Sequence, residues 1–573
     1  MNITDRKIQK PERKYFSAEL DVTSWEELEK VFIDLLATMI NSKSELISFM
    51  EKVSEVDAIV DEEMAWRYIN MTRFADDASF EESFNDFFAN IVSKIKPYTF
   101  KIQKKFYDNK YRSELTEPEY LHLNQIISNE IELFREENIP IDIKLQELAN
   151  KYGSIYSKLQ VNFQGEEKTL SQLAVYLKDQ DRAVREEVWK LRMEKMAEVR
   201  QQLNDIYDEQ IKLSVEKAKN ADFDNFRDYM HKAKGRFSYT PEDLYKFHDA
   251  VEKKVIPFLK EQTKIRQEKL GLDSIKPWDT SVDLDGKILK PFTDTTEFID
   301  KGIKILTNVK EQYGINLNMM KNSELLDLEN RKGKAPGGYN YPLAETKAPF
   351  IFMNAVGLHN DVVTLLHESG HAMHTFLSKD IKISDLNNTP SEVAELASMA
   401  MEFLTMDSWG EYYPDAEDFK KAKREQLLGS LSFLPWCMMV DAFQHWVYLN
   451  PEHTQTERDE FFLNLYQRYD TGIDWADVEE FKKQLWLFQL HIFEVPFYYI
   501  EYGMSQLGAL AVYMNYKKSG MDSAVEKYES FLKLGYTRSV RDLYETAGVN
   551  FDFSEKYLGE LVDFVIEELA ELK

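Results

Sequence analysis

Glycine and proline are the residues that interrupt regular backbone, and this chain has few of them: 21 Gly and 16 Pro in 573 residues. Long uninterrupted elements must follow, and their apolar spacing is helical. In Ser24–Ile40 the apolar residues Leu28, Phe32, Leu35, Leu36 and Met39 recur at intervals of three and four, and Ser24 with Glu27 has the pattern of a capping box. Val161–Lys219 is rich in charged helix formers and contains no proline, and Glu242–Gln267 and Phe553–Lys573 carry similar patterns. The chain is expected to be mainly α. The exception is Lys332–Asn354, where Gly333, Pro336, Gly337, Gly338, Pro342 and Pro349 crowd around the apolar run Phe350-Ile351-Phe352. That stretch predicts a turn and two short strands. A second loop-rich stretch, Gly271–Phe292, is expected to join a helical N-terminal part to the rest, and no repeat period is present.

Composition narrows the function. Apolar residues make up 43% and aromatics 13% of the chain, which is globular usage and excludes a mainly disordered protein. The formal net charge is −28, a poor balance for holding phosphate backbones, so nucleic acid is not an expected partner. Cys437 is the only cysteine, which leaves no intrachain disulfide and no cysteine metal cluster. Met1–Lys7 leads into Lys10, Arg13 and Lys14 without an apolar block, unlike a secretory signal. Uncharged runs such as Gln426–Val440, interrupted by Pro435, fall short of the roughly 18–20 residues that span a bilayer. The expectation is a soluble cytoplasmic protein that does not engage a membrane; no feature fixes an oligomeric state.

The chemistry concentrates in one segment. Four of the ten histidines lie between His359 and His374, and among them His367-Glu368-Ser369-Gly370-His371 is an H-E-x-x-H string. Asn360 or Asp361 can cap a helix there, and Val362, Val363, Leu365 and Leu366 give it an apolar face. Residues four apart lie one above the other on a helix, so His367 and His371 can bind one ion. Glu368 is turned by about 100° and reaches water beside that ion. Two imidazoles suit zinc, and a catalytic zinc takes three protein ligands. Downstream, Thr389-Pro390-Ser391-Glu392 reads as a capping box with proline at the first helical position, and Glu395, Ser398 and Glu402 share one face of the helix it opens. Glu395 is the expected third ligand. Glu402 competes with it, or holds the free N–H of a ligand histidine. Leu365, Leu366, Ala372 and Met373 make the helix largely buried, where histidine and glutamate need partners. His359 and His374 are expected to be structural, or substrate contacts at most.

With its flanks, the segment resembles a known family. Gly337-Gly338-Tyr339, Pro349-Phe350-Ile351, Asn354 and Asp361 through Ala372, followed by Ala394-Glu395-Leu396-Ala397-Ser398 and Glu402, look like the thimet oligopeptidase/oligoendopeptidase F family of zinc peptidases, closer to its bacterial oligoendopeptidase F branch. The likeness is strongest over residues 333–403 and looser through Asp441–His445 and His491–Asn550. It implies a large multi-helix zincin-type peptidase, with a deep substrate channel and a small β-sheet next to one zinc ion. Residues 1–190 are then expected to form a helical part of the channel wall and residues 191–573 the catalytic region.

The resemblance also places a histidine and tyrosines in the C-terminal part as donors to the oxyanion and substrate. His491, Tyr498 and Tyr502 match, with Tyr498 and Tyr502 on one helix face and Tyr499 also within reach of Tyr502, which leaves open which tyrosine faces the metal. Ala348–Phe352 is expected to be an edge strand able to pair with an extended peptide. Gly337 and Gly338 either let the neighbouring loop approach that peptide or simply make a turn. Glu368 is the expected base that takes a proton from the attacking water and returns it to the leaving amine. The expected function is a zinc endopeptidase acting on oligopeptides. The alternatives are a metallocarboxypeptidase of similar architecture and a non-catalytic helical peptide-binding protein.

Overall fold

The computed structural model describes residues 6–572; residues 1–5 and 573, which open the N-terminal reading and close the last helical pattern, lie outside the described residues. The chain is 69% helix and 4% strand. Ser24 caps the helix Trp25–Ala37 by accepting from the Glu27 N–H, and Leu28, Phe32 and Leu35 are buried along one stripe. The Glu242–Gln267 pattern lies in the helix Pro241–Leu270, which Thr240 and Asp243 cap and Gly271 ends at φ 64°. The last pattern forms Glu555–Glu571. Val161–Lys219 departs from expectation. Its first residues form a hairpin of strands β1 (Gln160–Phe163) and β2 (Glu166–Thr169), and the 39-residue helix Arg182–Asn220 follows. The cause is Gln164-Gly165, whose φ angles of 55° and 83° make the two-residue turn that closes a hairpin.

The chain divides into two compact units. One contains residues up to Glu132, Leu289–Lys423 and Ser505–Phe551, and the other Leu133–Ile288, Arg424–Met504 and the residues from Asp552 on. The stretch Ala416–Leu449 is apolar and long enough to cross a bilayer, but 67% of its most apolar window is buried in the fold, and it is two helices broken at Phe433.

The first unit carries a three-stranded sheet of β3 (Leu326–Glu329), β4 (Tyr339–Leu343) and β5 (Ala348–Ala355) in the order β3-β5-β4. β5 is therefore the central strand, parallel to β3 and antiparallel to β4, and the edge-strand expectation for Ala348–Phe352 is wrong. Its unbroken apolar run suits burial on both faces, whereas the short Leu-Asp-Leu-Glu of β3 gave no strand pattern of its own. Asp327 on β3 ties the sheet to its surroundings by accepting from Arg73, Arg331 and Lys334. Gly337 has φ 101° in the turn before β4, which accounts for a glycine there.

From β5 the chain turns at Gly357 into the helix His359–Ser378. The cap is Asp361, from inside the first turn: its Oδ2 accepts the N–H groups of Val356, Gly357 and Leu358, each at 2.9 Å. The partner helix Ser391–Thr405 starts one residue later than expected, with Pro390 as N-cap and no side-chain cap, so the Thr389–Glu392 capping box does not form. The two helices pack backbone to backbone at Gly370, where a Cβ would lie 2.6 Å from the Ala397 carbonyl oxygen and 2.6 Å from the Ser398 Cα. Later segments brace the second helix: Ser505 Oγ and Tyr544 OH donate to the Glu392 carbonyl, and Tyr528 OH to that of Ala397.

Candidate metal centre

The helix His359–Ser378 stacks His367 and His371 on one face, with ring centroids 5.1 Å apart. Across the Gly370 contact, Glu395 brings its Oε2 to 3.3 Å from His367 Nε2 and 3.8 Å from His371 Nε2. Among the described residues, these three form the one group of histidine, cysteine and acidic donors able to close around an ion. Ser398 Oγ donates to the same Glu395 oxygen at 3.1 Å. Glu402, two helical turns on from Glu395, is 2.7 Å from His367 Nδ1. His367 thus has its Nδ1 engaged by one carboxylate while its Nε2 faces the other, which fixes the ring orientation.

The electrostatics follow from burial. Glu368, Glu395 and Glu402 expose only 6%, 8% and 8% of their surface. Burial works against a charged imidazole, yet the hydrogen bonds that Glu395 and Glu402 accept from it hold His367 well above its ordinary value. Burial also works against the Glu395 carboxylate, but the His367 hydrogen bond and the His371 and His367 charges bring it down to about 2. Burial lowers His371 to about 4. The pocket therefore attracts positive charge to a point bounded by two imidazole nitrogens and a carboxylate. Burial pushes the Glu368 carboxyl up to about 7; the neighbouring His367 opposes the shift, and the Glu395 and Glu402 charges add to it. The Glu368 backbone carbonyl accepts from Asn340 Nδ2 on β4 at 3.1 Å, which ties the motif helix to the sheet.

The other two histidines of the segment lie outside the donor group. His359 Nδ1 is 2.7 Å from Tyr413 OH and its ring packs on Trp409. His374 is buried beside Phe531, and burial holds it down to about 3.

In the second unit, His491, Tyr498, Tyr499 and Tyr502 form a ring cluster. The His491 centroid lies 5.8, 5.1 and 5.9 Å from those of the three tyrosines in turn. The helix begins at Tyr499, so Tyr498 precedes it and does not share a helical face with Tyr502; the two rings still meet at 5.1 Å. Sequence reasoning missed the residues behind this cluster. Trp436 Nε1 donates to Gln489 Oε1 at 2.8 Å, and Gln489 Nε2 lies 2.6 Å from His491 Nδ1. Lys234 Nζ sits 5.0 Å from the Tyr498 ring centroid. Neither Gln489 nor Lys234 belongs to a motif that would have revealed it.

Comparison with known proteins gives the family. Residues 175–562 match peptidase family M3, and residues 17–134 match the peptidase M3 N-terminal domain. Oligopeptidase PepF of Bacillus subtilis is 24% identical over 58% of this chain and 50% of its own length. An oligoendopeptidase F homolog of Borreliella burgdorferi is 24% identical over 92% of this chain and 89% of its own. Among solved structures, PZ peptidase A with inhibitor 2 superposes with a TM-score of 0.89 at 26% identity, covering 97% of this chain and 98% of that one. The match to the Bacillus subtilis relative spans half of that protein.

Proposed function

The chain belongs to peptidase family M3, and on that premise we propose that it is a zinc-dependent endopeptidase that hydrolyses internal bonds of short, unstructured oligopeptides in the cytoplasm. The observation that carries the reading is the meeting of His367 Nε2, His371 Nε2 and Glu395 Oε2 around one point, with the Glu368 carboxyl on the same helix. Donors bound to one zinc at about 2.0–2.1 Å and tetrahedral angles are about 3.3–3.5 Å apart. The 3.3 Å separation of Glu395 from His367 fits that spacing, and the 3.8 Å separation from His371 is about 0.3 Å wider than its upper end. A zinc ion held there by His367, His371 and Glu395 would supply Lewis acidity to the scissile carbonyl and a nucleophilic water near neutral pH.

The chain's own groups would supply the rest. Glu402 holds the His367 ring through Nδ1, leaving Nε2 as the coordinating atom. Glu368 would take a proton from the attacking water onto its carboxylate and deliver it to the leaving amine nitrogen. His491, Tyr498 and Tyr502 are assigned, through the family resemblance, as donors to the oxygen that becomes negative in the tetrahedral intermediate. What supports that assignment is their chemistry and their clustering. The names of the relatives, oligopeptidase and oligoendopeptidase, support an oligopeptide substrate. Cleavage of a peptide blocked at both ends tests the reading: an endopeptidase cuts it, and a carboxypeptidase or a binding protein leaves it intact.

A further inference from the structure

Phe497 has φ 62°, in the left-handed region that a bulky residue normally avoids. It occupies the third position of a turn, Val495-Pro496-Phe497-Tyr498, closed by the Tyr498 N–H on the Val495 carbonyl at 3.2 Å. Proline at the second position and positive φ at the third is the type II pattern, and the third position is one that glycine or asparagine ordinarily fills. A phenylalanine persists there only if its surroundings hold it.

They do so from every side within the second unit. Gln444 Oε1 accepts the Phe497 N–H at 3.1 Å. Arg236 Nη2 donates to the Phe497 carbonyl, and to Glu501 Oε1 at 2.8 Å. The Arg236 and Glu501 side chains are 1% and 2% exposed, so the pair is fully enclosed. The Phe497 ring packs on His445 at 5.3 Å and Tyr448 at 5.4 Å. Both ends of one strained residue are thus gripped by side chains from elsewhere, Gln444 on the helix Leu434–Leu449 and Arg236 in the loop after the helix Phe226–Ala233. The next residue is Tyr498. Its carbonyl accepts the Glu501 N–H at 3.0 Å, so the residue that pairs with Arg236 also anchors Tyr498.

We propose that this turn is a positioning clamp: Gln444 and the Arg236–Glu501 pair hold Phe497 in its left-handed conformation and thereby fix the direction in which Tyr498 is presented to substrate. The inference rests on Tyr498 being a donor in the proposed peptidase reaction. Gln444 and Arg236 touch no reacting atom in this scheme; they act through Tyr498.

The test is steady-state kinetics on an end-blocked fluorogenic peptide, with zinc content and a thermal melt for each variant. Gln444→Met removes the acceptor at nearly constant shape and is expected to lower kcat about 10- to 100-fold, as displacement of a reacting group by about an ångström does. KM should stay within about twofold, and zinc should be unchanged. Gln444→Glu keeps an oxygen acceptor and loses only Nε2, which has no hydrogen-bond partner; it should retain most of the activity. Combining Gln444→Met with Tyr498→Phe should cost no more than Tyr498→Phe alone. Wild-type kcat in Gln444→Met, or losses that multiply in the double variant, would overturn the clamp while leaving the donor assignment standing. Wild-type kcat in Tyr498→Phe would overturn the donor assignment, and the clamp with it. Should Gln444→Met fail to fold, Arg236→Lys carries the same test, because one ammonium cannot reproduce the guanidinium fork; wild-type kcat there overturns the clamp.

Discussion

His367 touches one carboxylate with each ring nitrogen, and that asymmetry separates the roles of Glu395 and Glu402. Glu395→Ala should remove most bound zinc, whereas Glu402→Ala should keep the ligand set and weaken zinc binding about 10- to 100-fold, as loss of an orienting partner does. Competition with a chelator reads both, and the reverse order would exchange their roles. His491→Ala and Tyr498→Phe are expected to lower kcat by about 10²–10³ with zinc retained, because an oxyanion donor acts mainly on the transition state. At this scale the sequence was legible wherever partners share a helix. His367 and His371 are one turn apart, and Glu395 and Glu402 two. Asn340 lies 28 positions from Glu368, and Trp436 lies 53 from Gln489, and no local spacing marks such pairs.

Two helices and a sheet hold these residues, and each has a weak point that can be probed. Gly370→Ala should push a methyl into the backbone of the neighbouring helix, so it is expected to destabilise the protein by about 1–3 kcal/mol and to lower zinc occupancy by separating Glu395 from the histidines. Thermal denaturation and metal analysis measure both. In the sheet, burial works against the Asp327 carboxylate, but Arg331, Lys334 and Arg73 outweigh it and hold Asp327 well below the ordinary range. A depressed carboxylate stabilises the fold above its unfolded value of about 4, and the gain is lost as pH falls toward its folded value. Asp327→Asn should therefore cost about 3 kcal/mol at pH 7, since the Lys334 side chain is fully buried, and the gap to wild type should narrow below about pH 4. A gap that is constant with pH would remove the charge from the explanation. The long helices were legible because a run without glycine or proline has few other options. The central place of β5 was not, since it depends on the four-residue strand β3, whose sequence looks like any loop. The hairpin at Gln164-Gly165 was missed because the charged residues that follow it, Glu166-Glu167-Lys168, suggested helix.

For the whole molecule, the extended motif pointed to the family that the family models then matched, where composition alone excluded only a mainly disordered chain and an intrachain disulfide. The proposed activity implies that flexible peptides are cut and folded proteins are spared; rapid digestion of native lysozyme would count against it. The central claim is that His367, His371 and Glu395 hold one zinc while Glu368 performs the proton transfers. The most direct test is to measure zinc per chain and end-blocked peptide cleavage in parallel, for the wild type and for Glu368→Gln. The account predicts one zinc in each protein, internal cleavage by the wild type, and a loss of about 10²–10⁴-fold or more in the variant. A variant that loses its zinc, or one that still cleaves at the wild-type rate, would contradict it.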